Sequence, residues 1–238
     1  WRSDPYGDAQ SSARFRFHAF RWVWELLEAY DLTKRPEYLA RAKELTERWI
    51  AECLYAEKGE YLWDDHATAL RAIVLCQLWH ASRGGATPPD GFIRGLLAAV
   101  IRHGEKLAHP SFYRRGHNHG VTQAHALFAI GLMFPHPNAE RWVRLGRSRL
   151  EAQMAENVSS EGFHREHSPS YQLDVLKQFV DAYRLGSAFG AEFSPEFMES
   201  LQRMFPCAAL FIKPNRTLAA LGDTCQSSPL AIREVDLQ

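Results

Sequence analysis

The stretch DGFIRGLLAAVIRHGEKLAH, Asp90 to His109, decides the fold class. Phe92, Ile93, Leu96, Leu97, Val100 and Ile101 recur at steps of three and four, as one buried face of a helix requires. The same spacing predicts helices near 13–31, 36–54, 66–82, 121–134, 138–156, 170–186 and 195–212. Breakers stand between them: Thr33-Lys-Arg-Pro36, Gly84-Gly85 with Pro88-Pro89, Pro135-His-Pro137, and Gly186 through Ser194-Pro195. Ser194 reads as an N-cap with Pro195 at the first helical position. No segment alternates in the manner of strands, so no substantial sheet is expected before residue 213. The tail from Lys213-Pro214 reads as loop or extended chain.

Polar helix starts recur at a fixed interval. Ser12, Asp65, Asn118, Ser168 and Asp223 each open a helix or are able to, and their gaps are 53, 53, 50 and 55 residues. Two helices fill each gap, so the repeating unit is a helical hairpin of about fifty residues. Short loops make consecutive helices antiparallel, and every second helix then starts at the same end. The expected architecture is all-α, an incomplete α/α toroid over residues 1–213 with a groove where the polar starts converge. An open solenoid without a shared groove is the alternative.

Composition narrows the function. The 238 residues are 46% hydrophobic and 24% charged, an ordinary globular balance. Lys+Arg and Asp+Glu both number 28, giving no net charge, so neither nucleic acid nor an anionic membrane is an expected partner. No apolar run approaches the roughly 20 residues of a spanning helix. Cys53, Cys76, Cys207 and Cys225 lie far apart, and buried free thiols are expected. The chain begins at Trp1 with no signal segment, as a processed protein or a piece of a larger one would.

Three strings carry chemistry. Arg114-Arg115-Gly116-His117-Asn118-His119-Gly120 precedes a helix, whose unpaired N–H groups and dipole favour an anion. Gly162-Phe163-His164-Arg165-Glu166-His167-Ser168-Pro169-Ser170-Tyr171 combines an N-cap and N1 proline with charged residues that helix initiation does not need. A tyrosine there acts as a base if nearby cations lower its pKa. Tyr61-Leu62-Trp63-Asp64-Asp65-His66 offers an aromatic beside carboxylates for a sugar, with Asp65 an alternative N-cap. Metal spacing is poor: there is no His-Glu-x-x-His, and no metal or other cofactor is expected.

Asn118-His119-Gly120 with Gln123 and Ala126-Leu127, then Glu166-His167-Ser168-Pro169-Ser170-Tyr171, resemble the heparinase II/III-like superfamily of polysaccharide lyases. Trp63-Asp64-Asp65-His66-Ala67 and Leu221-Gly222-Asp223 add to the resemblance. It implies an incomplete α/α toroid followed by a β-sandwich domain, with residues 214–238 leading into the latter. It implies β-elimination on a uronate polysaccharide such as heparan sulfate or alginate, hence a periplasmic or secreted protein. Asn118 and His119 match the positions that neutralise the uronate carboxylate, and Tyr171 matches the proton-transfer tyrosine. Arg165 and Glu166 fall in the substrate-contacting loop, with Asp65, His66 and His117 as further substrate contacts. The sequence departs at Gln172, where many relatives have His, and at His117, where Asn or Ser is common. The family's further catalytic histidine comes from the sandwich domain. Two rival functions share the fold: a glycoside hydrolase using carboxylates from Asp64, Asp65, Glu166 and Asp223, and a glycan-binding module without turnover.

Overall fold

The computed structural model describes residues 11–57, 59, 61–83, 90–222 and 224. Asp223, Cys225 and the Gly84-to-Pro89 breakers lie outside the described residues. Nine α-helices appear among those described: α1 (Ser11–His18), α2 (Arg21–Thr33), α3 (Pro36–Cys53), α4 (Asp65–Ser82), α5 (Asp90–Ala108), α6 (Asn118–Met133), α7 (Ala139–Asn157), α8 (Pro169–Phe189) and α9 (Pro195–Leu210). Two isolated bridges, Val158 with His164 and Ile212 with Leu218, are the extended pairings present there. Helices begin at the expected interval in four places: at Ser11, at Asp65, at Asn118 and, with Ser168 as N-cap, at Pro169. Cys53, Cys76 and Cys207 are buried free thiols, as expected.

Two compact units divide the chain: Trp1–Arg114 with Thr122–Arg147, and Arg115–Val121 with Ser148–Gln238. In the first, α2 and α3 pair across a tight link. Lys34 adopts a left-handed conformation and returns its N–H to Tyr30 O, and Pro36 starts the next helix. The expected single helix over 13–31 is instead two. Phe20, fully buried, sits at φ 60° between α1 and α2, a break that no Gly or Pro announces. Every residue from Val121 to Ile130 is buried, so α6 is a core helix. Gly146 lets α7 lie against it: a Cβ there would meet Phe128 backbone atoms at 2.7 and 2.8 Å.

The core of this unit contains a cation. Arg71 is fully buried and its guanidinium donates to His103 Nε2 (2.8 Å), His18 O (2.5 Å) and Leu62 O (2.8 Å). Its centre lies 4.4 Å from the Trp49 ring and 5.2 Å from that of Trp63. Burial pulls the Arg71 pKa down to about 9. His103 gives its Nδ1–H to Ala99 O (2.7 Å), which leaves Nε2 as the acceptor for Arg71. Burial, then Arg71, hold this imidazole well below its usual pKa, and His18 is lowered to about 4 by burial and Arg71.

These histidines make stability depend on pH. Their unfolded forms titrate near 6.5, above the folded values, so below that pH the unfolded chain binds more protons. Their contribution is complete above pH 6.5 and declines as pH falls towards 4, by at most about 1.4 kcal/mol per pH unit for each. Denaturant titrations at pH 7, 6 and 5 should give falling unfolding free energies. A flat profile would contradict neutral burial of His103.

The second unit contains the first turn of α6, the end of α7, and the α8–α9 pair. Gly190 at φ 69° ends α8, and Ser194 Oγ accepts from Phe197 N (3.3 Å) to start α9 behind Pro195, as its sequence predicts.

Candidate active site

The site is built on two helix starts in the second unit. Between α7 and α8 the chain turns tightly: Ser159 N donates to Phe163 O (2.8 Å), and Val158 bridges to His164. Gly162 makes the turn at φ 101°, where a Cβ would lie 2.3 Å from Arg203 O on α9. Gly162→Ala therefore combines a disfavoured backbone with a clash against main chain. We expect a loss of about 2–4 kcal/mol, read as a lowered denaturation midpoint; an unchanged midpoint would refute the packing described.

Gln172, 2% exposed, closes this segment from the first turn of α8. Its Oε1 accepts from His164 N (2.7 Å) and its Nε2 donates to Gly162 O (3.0 Å). Both ends of one buried amide are thereby satisfied. The residue that departs from many relatives thus has a defined structural part, which the sequence did not signal. His164, also buried, accepts Glu166 N–H on Nδ1 (3.4 Å), placing its proton on Nε2, which meets no partner among the described residues. Burial lowers the His164 pKa, opposed by Glu166 and reinforced by His117 and His167. It stands in the site as a neutral N–H donor.

Glu166 links the two helix starts. Its Oε1 accepts from Asn118 N at 2.8 Å, across 48 residues of sequence. The expectation of open backbone donors at this helix start needs correction. Asn118 N–H goes to Glu166, His119 N–H to His117 Nδ1 (3.2 Å), and Gly120 N–H to His117 O (2.8 Å). A bound anion has to be met by side chains instead. Asn118 is 8% exposed, His119 half-buried and His117 exposed, with the His117 and His119 rings edge to face at 4.3 Å. Tyr171, half-buried, occupies the first turn of α8, five residues after Glu166. His167 between them holds a left-handed conformation at φ 52°. Ser168 takes the N-cap position, but its hydroxyl bonds Ser170 Oγ and Thr224 Oγ1 (both 3.0 Å) rather than a helix N–H. Arg165 is exposed, and its N–H donates to Asn157 O (2.9 Å). Arg115 pairs with Glu156, Nε to Oε2 at 3.0 Å.

Asp65 and His66 belong to the first unit. Asp64, not Asp65, is the N-cap of α4, accepting from His66 N (3.0 Å) and Ala67 N (2.9 Å). Asp65 instead pairs with Arg114 Nε at 2.9 Å. Gln123 closes the same corner, donating to Phe112 O (2.7 Å) and accepting from Arg114 N (2.8 Å). The His66 ring packs on Phe15 at 5.5 Å.

The family model described as Heparinase II/III N-terminus matches residues 1–235. The chain belongs to that family. A heparin-sulfate lyase of Bacteroides thetaiotaomicron is 23% identical over 221 residues, 90% of this chain and 31% of that protein. A heparin-sulfate lyase of Pedobacter heparinus is 20% identical over 232 residues, 94% of this chain and 34% of the relative. This heparinase II/III N-terminal chain thus spans about a third of the length of the curated relatives it matches. A crystal structure of heparinase III superposes with a TM-score of 0.77 at 22% identity, over 91% of this chain and 33% of that one. A heparan sulfate lyase structure from Pedobacter heparinus gives 0.70 at 19% identity, over 90% and 34%. The fold class is accordingly the all-α, incomplete α/α toroid that the helix starts predict.

Proposed function

We propose that this chain is the helical part of a polysaccharide lyase that cleaves a uronate-containing polymer, heparan sulfate-like or alginate-like, by β-elimination. The observation that carries the reading is the Glu166 bridge: one carboxylate fastens the Asn118 helix start to the segment leading into Tyr171. That contact joins two polar strings 48 residues apart and supports reading them as one site.

The chemistry follows from the residue types. Removing the hydrogen alpha to a carboxylate builds negative charge on its oxygens. The backbone N–H groups of Asn118, His119 and Gly120 are engaged, so the Asn118 amide and His119 imidazole are the side chains assigned to meet that charge. Glu166 fixes the backbone from which the Asn118 side chain projects, through the Asn118 N–H. The Tyr171 hydroxyl removes the proton or returns one to the departing glycosidic oxygen. Arg165, His117, Asp65 and His66 are assigned to substrate contact. The rest of the whole protein, downstream of residues 214–238, would supply the further catalytic histidine. Such a polymer is met outside the cytoplasm, in the periplasm or after secretion; no helix among the described residues is long and apolar enough to cross a membrane.

A carboxylate-pair hydrolase draws less support. Asp64 is engaged as a cap, Asp65 by Arg114, and Glu166 by the Asn118 N–H. The test is direct: the whole protein, given a panel of uronate polymers, should yield ultraviolet-absorbing unsaturated ends. Saturated products carrying oxygen from solvent water, or no cleavage across the panel, would overturn the lyase reading.

A further inference from the structure

Far from these helix starts in sequence, the first unit carries a group of cations with no acid paired to it among the described residues. On α5, Lys106 Nζ lies 4.6 Å from the centre of the Trp63 ring, and Arg102 lies 5.4 Å from both the Trp63 and Tyr55 rings. Arg71 lies 5.2 Å from the centre of the same ring, and its hydrogen bonds go to two carbonyls and an imidazole. Three positive side chains thus surround one aromatic ring. Among the described residues, neither Arg102 nor Lys106 forms an ion pair, and Arg102 Nε is buried without an acceptor. Burial, then Arg102, depress the Lys106 pKa; Glu57 opposes them and Arg71 adds to them. Tyr55 is 71% exposed, an aromatic face turned to solvent at the edge of the group.

Cation–π contact accounts for a cation resting on a ring. It leaves unexplained a group in which three cations outnumber the acids acting on them, Glu57 and Asp64, and the buried Arg102 Nε, which has no acceptor among the described residues. An anion satisfies both. Aromatic surroundings and partial burial select a weakly hydrated anion, because a strongly hydrated carboxylate gives up more solvation on entering. A sulfate ester fits: it has a permanent charge and three oxygens for an arginine and a lysine. A pyranose carrying it would rest on Tyr55.

We propose that Arg102, Lys106 and Tyr55, grouped about Trp63, form a binding site for the sulfo group of a sulfated saccharide. The choice of a saccharide as carrier rests on the function proposed above; the site itself does not depend on the helix starts of the second unit.

The test uses the whole protein carrying Tyr171→Phe, so that binding is measured without turnover. Calorimetry would compare a heparin-derived hexasaccharide, its fully desulfated counterpart and inorganic sulfate. Replacing Arg102 and Lys106 together by Ala should weaken hexasaccharide binding about tenfold or more and flatten its salt dependence. Affinity for the desulfated sugar should stay unchanged. If the double variant fails to fold, Lys106→Glu alone should give the same direction. Unaltered hexasaccharide affinity in the folded variant would overturn the site, and inorganic sulfate bound as tightly as the hexasaccharide would overturn its saccharide assignment. A protein that cleaves no uronate polymer yet loses sulfated-sugar affinity in the double variant would refute the lyase reading while sustaining this site; the opposite pair of results would do the reverse.

Discussion

Tyr171→Phe in the whole protein should lower kcat for elimination by about 10²–10⁴-fold, the range for removing a positioned acid–base group. The expected loss is chemical rather than structural. Tyr171 is half-buried in the first turn of α8, and the substitution retains the ring and its packing. The neighbouring closure through Gln172 uses other atoms: His164 N, Gly162 O and the Gln172 side-chain amide. Thermal stability should therefore change little while turnover collapses, and KM should move far less than kcat because Asn118 and His119, the donors proposed for the carboxylate, remain. A hydrolase working through Asp65 or Glu166 would keep most of its activity in the same variant. Initial rates with a sensitive polymer, beside a melting curve, separate these outcomes. Near-normal turnover in the folded variant would remove Tyr171 from the chemistry.

The second large effect concerns folding. Arg71→Met should strip the first unit of most of its stability. Leu62 O and the Nε2 of His103, both buried, and the part-buried His18 O would lose their donor. Each orphaned acceptor costs about 1–3 kcal/mol, against a usual domain stability of about 5–15 kcal/mol. An opposing contribution exists, since burying the cation is itself unfavourable, as its lowered pKa of about 9 records. The abandoned acceptors outweigh it because the two buried ones, Leu62 O and His103 Nε2, gain no water in place of the guanidinium. Arg71→Lys should rescue little: one ammonium on a flexible stem does not span acceptors arranged around a planar fork. Chemical denaturation of both variants decides the matter, and a midpoint near that of the unaltered protein would show that the network is dispensable.

What could be read from sequence, and what could not, divides along the distance over which residues interact. Helix pairing was legible because apolar periodicity and breakers such as Thr33-Lys-Arg-Pro36 and Ser194-Pro195 act within a few residues. The Phe20 break was not legible, since a left-handed phenylalanine leaves no local sign and is held by its own burial. Adjacent aspartates at 64 and 65 left the capping residue ambiguous; backbone direction gives the cap to Asp64 and Asp65 to Arg114. The anion-ready helix start at Asn118 was a sound local inference that a tertiary contact overrode. Nothing local announces that Glu166 occupies that N–H from 48 residues away. Gln172 and His164 were likewise hidden: in sequence one looked like a departure and the other like part of a charged loop, while in the structure one amide fastens the other's backbone.

The central claim is that Asn118, His119 and Tyr171 serve a single uronate. Its most direct test is a crystal structure of the whole protein, carrying Tyr171→Phe, with an uncleaved uronate tetrasaccharide bound. The carboxylate of one uronate should accept hydrogen bonds of about 3 Å from the Asn118 and His119 side chains. Its alpha hydrogen should face the edge of the substituted ring, where the Tyr171 hydroxyl stands in the unaltered protein. A tetrasaccharide seated with its carboxylates away from Asn118 and His119 would contradict the claim.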